Sequence, residues 1–140
     1  MNSSVSYCIF NESGISVPLD ETYLKHVIKR IEEKESCSFF EIEVVFVDDD
    51  TILEMNRKYL GHDYVTDILT FPYEDHSKPL EGTLYCCAQQ IARQAAEHGE
   101  PFDIEVKRVV IHGLLHLVGY DDASEAEKHD MRRLENFYLG

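Results

Sequence analysis

The residues best suited to chemistry in this 140-residue chain lie in one short segment, IHGLLHLVGYDD, at residues 111–122. His112 and His116 stand four residues apart in an otherwise apolar run. On a helix, residues four apart share a face and lie about 6 Å apart along the axis, so both imidazoles can reach one metal ion. Tetrahedral zinc accepts such nitrogen ligands. The spacing is compatible with a metal site, but by itself it is more typical of two histidines tolerated in a core helix; a metal site is favoured once the glycine and carboxylate that follow are considered.

A catalytic metal site needs a third protein ligand and leaves one position for water. A continuing helix cannot supply that ligand, because later residues rotate away from the face. Gly119 predicts a break, since glycine adopts left-handed dihedral angles at little cost. Asp122 follows and offers a carboxylate oxygen that zinc accepts. We therefore predict one divalent metal ion, with zinc favoured, held by His112, His116 and Asp122. The alternative third ligand is His129, about one turn into the next predicted helix.

The pattern H-x3-H-x2-G-x2-D is close to the H-E-x-x-H-x-x-G-x-x-H pattern of metzincin proteases. The residue after the first histidine is Gly113, where those proteases keep a glutamate as general base. A peptidase without that carboxylate loses its proton acceptor. A metal-bound water of near-neutral pKa can still attack another substrate, so a metzincin-like peptidase is the weaker alternative.

The segment HGLLHLVGYD resembles the histidine motif of the YbeY family, bacterial rRNA maturation factors described as zinc-dependent endoribonucleases. Upstream, MNRKYLGHDYVTDILTFPYE at residues 55–74 is similar to the family's N-x-x-Y-R-G-x-D-x-x-T-D-V-L-S-F-P segment. The resemblance implies a metal-dependent hydrolase, an endoribonuclease, that acts in rRNA maturation and ribosome quality control. Its implied partners are ribosomal RNA or its precursor, with small ribosomal subunit proteins as further candidates. The alternative is a non-catalytic ribosome-assembly factor with a structural metal.

Two positions depart from the family pattern. The family's usual third ligand is a histidine where this chain has Asp122. The extra negative charge should make a zinc-bound water less acidic and favour harder, oxygen-liking ions. The family also places, after the tyrosine at position 59, an arginine thought to contact RNA phosphate, and this chain has Leu60. We predict that Arg57, one helical turn back, takes this catalytic and substrate-binding role, and that Lys58 assists in substrate binding.

Other charged residues have two interpretations each. Asp67 is predicted as a second catalytic residue that orients the site or positions a water, and Asp63 could act similarly. The alternative for both aspartates is turn and capping chemistry. Lys107 and Arg108 precede the histidines on the same predicted helix, where solvated surface charges are favoured over a phosphate-facing patch.

The elements that must position these residues follow from periodicity and capping signals. Predicted strands cover residues 5–10, 39–49, 66–72 and 83–87. Predicted helices run over residues 20–35, from a capping box at Thr51 toward Tyr59, over 88–98, over 101–118, and from a capping box at Ser124 to about Tyr138. Helices and strands are mixed without a repeating βαβ order. We therefore predict an α+β fold, a small mixed sheet packed with helices, with the metal site on a central helix and the turn after it.

Length and composition set outer bounds. The chain is predicted to form a single domain over residues 1–140. Its formal net charge of −14 opposes non-specific binding to nucleic acid or anionic membranes, so an RNA partner needs a local basic patch or a metal. The N-terminal residues lack the pattern of a signal peptide. The four cysteines lack CxxC spacing and fit reduced thiols, with structural zinc as the alternative. We expect a cytoplasmic protein without a membrane partner.

Overall fold

A computed structural model describes residues 5–73 and 79–140 of the chain. Within these ranges the chain forms four strands and five helices in mixed order, which confirms the predicted α+β class. The elements are β1 (Ser6–Asn11), α1 (Glu21–Glu35), β2 (Phe39–Val47), α2 (Asp49–Leu60), β3 (Ile68–Pro72), β4 (Leu80–Cys87), α3 (Ala88–His98), α4 (Phe102–Val118) and α5 (Glu125–Leu139). None of the helices in the described ranges has the length and apolar composition needed to cross a membrane.

The strands form one mixed sheet in the order β1-β2-β4-β3. The β1–β2 and β2–β4 pairs are parallel, and β3 runs antiparallel to β4. Alternate residues of β2 point to opposite faces, and both faces are covered. Ile42, Val44 and Phe46 join the main core with α1, α4 and α5, whereas Val45 and Val47 join a second cluster beside α2. The adjacent Cys86 and Cys87 divide between the same two clusters.

Helix α4 packs closely on the sheet, and Gly113 permits this approach. A Cβ atom at position 113 would lie 2.6 Å from Ile68 Cδ1 of β3 and 3.1 Å from Leu84 Cδ1 of β4. Van der Waals contact between carbon atoms requires about 3.5–4.0 Å. The absence of a side chain at Gly113 therefore lets the backbone of α4 lie against the Ile68 and Leu84 side chains.

Several predicted boundaries agree with the structure. Helix α1 has Asp20 as its N-cap, α3 ends before Gly99, and α4 ends before Gly119. Helix α5 begins with the predicted capping box, in which Ser124 and Glu127 bond to each other's backbone N–H groups.

Three elements begin two or three residues away from their predicted starts, and those predictions were wrong. Helix α2 begins at Asp49 and not at Thr51, because the Asp48 carboxylate accepts a hydrogen bond from the Thr51 backbone N–H at 2.9 Å and caps the helix earlier. Strand β3 begins at Ile68, two residues after the predicted start at residue 66. Strand β4 begins at Leu80, three residues before the predicted start at residue 83, because the Leu80 N–H donates to the Ser38 carbonyl at 2.8 Å and extends the pairing with β2.

Candidate active site

The last turns of α4 and the chain that follows bring the three predicted ligands together. The Nε2 atoms of His112 and His116 lie 2.9 Å apart. Gly119 ends the helix with φ of 126°, a backbone conformation that residues with a side chain rarely adopt, and its N–H donates to the His116 carbonyl at 3.1 Å. The chain then returns, and Asp122 Oδ2 stands 3.2 Å from His112 Nε2 and 3.6 Å from His116 Nε2.

These separations fit a divalent metal ion. Two ligand atoms at 2.0–2.1 Å from a tetrahedral zinc ion stand about 3.3–3.4 Å apart, and the observed distances of 2.9, 3.2 and 3.6 Å bracket that value. Across residues 5–73 and 79–140, the group of potential metal ligands found is His112, His116 and Asp122, with atoms within 4.8 Å of one another. The alternative ligand His129 lies exposed on α5 and is not part of the group.

The second ring nitrogen of His112 is held by a residue that the sequence interpretation missed. His112 Nδ1 lies 2.7 Å from Oε2 of Glu135, a buried residue of α5. Burial lowers the pKa of His112, but the hydrogen bond and charge of Glu135, with further carboxylates including Asp122, outweigh it and raise the pKa above its ordinary value. A sequence signal existed, since Glu135 follows Met131 by four residues and precedes Tyr138 by three, on the apolar face of α5.

The prediction that Arg108 is a solvated surface charge was wrong, and so was its phosphate-facing alternative. Arg108 is only 8% exposed. Its guanidinium donates to Asn136 Oδ1 at 2.8 Å and lies 3.5 Å from Glu135 Oε1. Helix α5 covers this side of α4 and supplies the acidic and amide partners. Lys107 lies differently, with its ammonium group 4.7 Å from the centroid of the Tyr23 ring.

The ligand atoms face a cleft of about 1000 Å³. The cleft lies between the end of α4, strand β3, the residues that follow α1, and the chain between α2 and β3. Its described lining comprises Ser36, Cys37, Ser38, Leu60, Tyr64, Thr66, Asp67, Ile68, Leu69, Thr70, Pro72, Pro79, Leu80, Glu81, His112, His116, Leu117, Val118, Gly119 and Asp122. This set contains three carboxylates and no lysine or arginine, so the described wall is acidic.

The structure separates the two predicted aspartates. Asp67 lines the cleft with His112, and its Oδ2 accepts a hydrogen bond from Gln94 Nε2 at 3.2 Å. Its backbone carbonyl accepts from the Cys87 N–H at 2.8 Å, which fixes the start of β3 against the end of β4. Asp63 instead forms an exposed ion pair with Arg57. Asp67 therefore lines the same cleft as the three ligand residues, and Asp63 is not among the described residues that line it.

The predicted RNA-contacting residues stand outside the cleft lining. Arg57 is exposed and bonded to Asp63, and the Lys58 ammonium lies 5.3 Å from the centroid of the Tyr59 ring. Leu60, at the position of the family's arginine, lines the cleft itself. Leu60 therefore lies in the cleft wall, whereas Arg57 and Lys58 are not among the described residues that line the cleft.

Exposed aromatic side chains flank the cleft on the same side. Tyr64 lines the cleft, is 55% exposed, and stacks on His62 with ring centroids 5.3 Å apart. Tyr59 and Leu60, at the end of α2, are also more than half exposed. We call Tyr59, His62 and Tyr64 the aromatic rim. Planar exposed rings of this kind can stack with nucleobases.

Comparisons with known proteins give one consistent result. The model of the family described as Endoribonuclease YbeY matches residues 10–140. Endoribonuclease YbeY of Salinibacter ruber is 38% identical over 129 residues, which cover 86% of this chain and 82% of the relative. The protein of the same name from Chlorobaculum tepidum is 37% identical over 131 residues, covering 94% and 93%. The solution structure of TM1509 from Thermotoga maritima is similar with a TM-score of 0.62, at 30% identity over 95% of this chain and 86% of that one.

Proposed function

Since the chain belongs to the YbeY endoribonuclease family, we propose that it is a metal-dependent endoribonuclease, a single domain over residues 1–140 that cleaves ribosomal RNA or its precursor in rRNA maturation. One observation carries the metal-dependent part of this proposal. Three potential ligand atoms lie within 3.6 Å of one another at the wall of an open cleft, namely His112 Nε2, His116 Nε2 and Asp122 Oδ2.

The openness of the site favours catalysis over a structural metal. Structural zinc sites are almost always closed by four protein ligands, whereas catalytic sites have three and keep a position for water or substrate. Within the described residues the potential ligand group has three members. Their side chains are 22%, 25% and 42% exposed for His112, His116 and Asp122. Substrate could therefore reach the ligand atoms from the cleft.

Two groups of residues would take part in the reaction: the three ligands would hold the metal ion, and Asp67 would act on the attacking water. A bound divalent ion would supply an activated water or polarise a phosphate oxygen. Two imidazoles and one carboxylate suit zinc, while the carboxylate of Asp122 improves the fit for harder ions such as Mn²⁺. Asp67, in the same cleft, positions the attacking water or accepts its proton as a general base. The bond from Gln94 holds one oxygen of that carboxylate in place.

RNA binding must overcome an acidic wall. The described lining has no lysine or arginine, and the chain carries a net charge of −14. Bases of a single strand can stack on the aromatic rim, a contact that needs no positive charge. Arg57 and Lys58, on the last turns of α2 beside this rim, would add phosphate contacts from outside the cleft.

The peptidase alternative gains no support from the packing of α4. A glutamate after the first histidine would need space at position 113, where even a Cβ atom meets Ile68 and Leu84 side chains. A side chain at position 113 would therefore have to displace the ends of the Ile68 and Leu84 side chains, and the glutamate that serves as general base in a metzincin is absent from this position.

The proposal is tested by cleavage of a fluorophore-labelled single-stranded RNA by the purified full chain. We expect cleavage that a metal chelator abolishes and that a His116→Ala variant lacks. His129→Ala serves as the matched control, because His129 is exposed and outside the ligand group, and it should keep the wild-type rate. Undiminished cleavage by folded His116→Ala would overturn the proposal, and loss of cleavage in His129→Ala would move the third ligand to His129.

A further inference from the structure

Helix α5 places one acidic side chain against the back of the candidate metal site. Glu135 lies among the buried residues Met131, Leu134 and Tyr138, and is itself 5% exposed. A carboxylate is unfavourable in such surroundings unless it is paired and hydrogen-bonded. Its Oε2 lies 2.7 Å from Nδ1 of His112, the ring nitrogen that does not face His116 and Asp122.

The other oxygen of Glu135 is held by arginines. Oε1 lies 3.5 Å from Arg108 Nη1 and 3.8 Å from Arg132 Nη1. Arg108 is buried and is fixed in turn by Asn136 at 2.8 Å and by Glu100 at 3.4 Å. The carboxylate of Glu135 therefore has one oxygen set by the guanidinium of Arg108 and the other directed at His112.

We propose that Glu135, held by Arg108, is a positioning residue for His112 as a metal ligand. An ionised carboxylate accepts a hydrogen bond, so this contact keeps the proton of the neutral imidazole on Nδ1. The lone pair then stays on Nε2, the atom that faces His116 and Asp122. Carboxylates in this relation to a ligating histidine fix the ring orientation and strengthen it as a donor. The inference rests on the proposed metal site and extends it to α5.

The arrangement is specific to one of the two histidines. No side chain of the described residues makes the corresponding hydrogen bond to Nδ1 of His116; the one hydrogen bond found for its ring is the Nε2 contact with His112. The alternative is that Glu135 only ties α5 to α4. Such a structural role would lower stability on mutation and leave the affinity of the folded protein for metal unchanged.

The test measures Zn²⁺ affinity of the full chain at neutral pH by competition with a chromophoric chelator, alongside denaturant unfolding of each variant. Glu135→Ala removes the acceptor, and Glu135→Gln keeps an oxygen without the charge. Asp130→Ala is the matched control, because Asp130 is an exposed carboxylate of the same helix as Glu135 and its ion pair is with Arg133. We expect Glu135→Ala to bind Zn²⁺ about 10- to 100-fold more weakly, Glu135→Gln to recover part of the loss, and Asp130→Ala to match the wild type.

Co²⁺ gives a second readout, since its visible absorption reports ligand geometry. The spectrum should change in Glu135→Ala and not in Asp130→Ala. If the alanine variant does not fold, Glu135→Gln decides, and Zn²⁺ affinity equal to that of Asp130→Ala would overturn the inference. If the wild type binds Zn²⁺ tightly and folded Glu135→Ala binds it equally well, the inference about Glu135 is overturned and the proposed metal site stands. A wild-type chain that binds neither ion would overturn the proposed metal site together with it.

Discussion

Asp122 Oδ2 lies 3.2 Å from His112 Nε2, although a helix end and a tight turn separate the two residues along the chain. The turn begins at Gly119, whose positive φ lets the chain reverse directly over the last turn of α4. One glycine thus converts a pair of histidines on a helix face into a three-sided group of ligand atoms. The metal proposal depends on this contact, and it can be tested at position 122.

An Asp122→His variant should bind Zn²⁺ at least as tightly as the wild type, since imidazole is an accepted third ligand. Asp122→Ala should bind it more weakly, because one ligand is lost. Asp121→Ala is the matched control, as Asp121 is the exposed neighbour outside the ligand group. A chelator competition titration measures all three. Equal affinities in wild type and Asp122→Ala would place Asp122 outside the metal's coordination sphere.

The affinity for RNA should depend only weakly on salt concentration, and Arg57 should account for part of that dependence. Each phosphate contact contributes about 0.7 to the slope of log affinity against log salt for single strands. Arg57→Ala should weaken binding to any sequence and flatten the slope by about that amount. Because Arg57 is bonded to Asp63, Asp63→Asn should have the opposite effect and tighten binding.

The assay for this effect is titration of a labelled single-stranded rRNA-tail oligonucleotide at several salt concentrations. Identical affinities and slopes for wild type and Arg57→Ala would show that Arg57 does not replace the arginine that the family has at position 60. Loss of binding in Tyr64→Ala with an unchanged slope would assign the main contact to the aromatic rim.

The stability of the protein should respond to pH through Glu105. Burial raises the pKa of this carboxyl above its ordinary value, against the lowering effects of Gln94, His98 and Arg108. A carboxyl whose folded-state pKa is raised contributes stability below its unfolded pKa of about 4.3, and this contribution is lost as the pH rises through the folded value. Glu105→Gln removes the ionisation. The variant should therefore gain stability relative to the wild type as the pH is raised from 4 to 7.

Urea unfolding at pH 4, 5, 6 and 7 measures this difference. Glu97→Gln, at an exposed position of α3, is the matched control and should show a smaller change with pH. A difference between Glu105→Gln and wild type that stays constant over this range, or that reverses, would contradict the expectation.

Much of the fold follows from local signals in the sequence. The caps at Asp20 and Ser124 and the stops at Gly99 and Gly119 mark helix ends through contacts within a few residues. The grouping of His112 and His116 also follows from helix geometry alone. Where two nearby residues can cap the same helix, as Asp48 and Thr51 can, local signals do not decide between them.

The contacts between elements could not be predicted in this way. The local sequence predicts Arg108 to be a surface charge, but α5 packs over it and buries it. The same packing brings Glu135 into contact with His112. The same holds for the cleft wall, because the orientation of α2 determines that Leu60 lines it while Arg57 stays outside. An acidic residue on the apolar face of α5 was the one local sign of the buried network.

The most direct test of the metal-dependent nuclease is the rate of RNA cleavage by chelator-treated, metal-free protein as Zn²⁺ or Mn²⁺ is added back in measured equivalents. We predict that the rate rises from background and levels off at about one equivalent in the wild type, while a His112→Ala/His116→Ala variant stays at background throughout. Cleavage by the metal-free protein at the full rate, or equal recovery in the double variant, would contradict a catalytic metal held by these side chains.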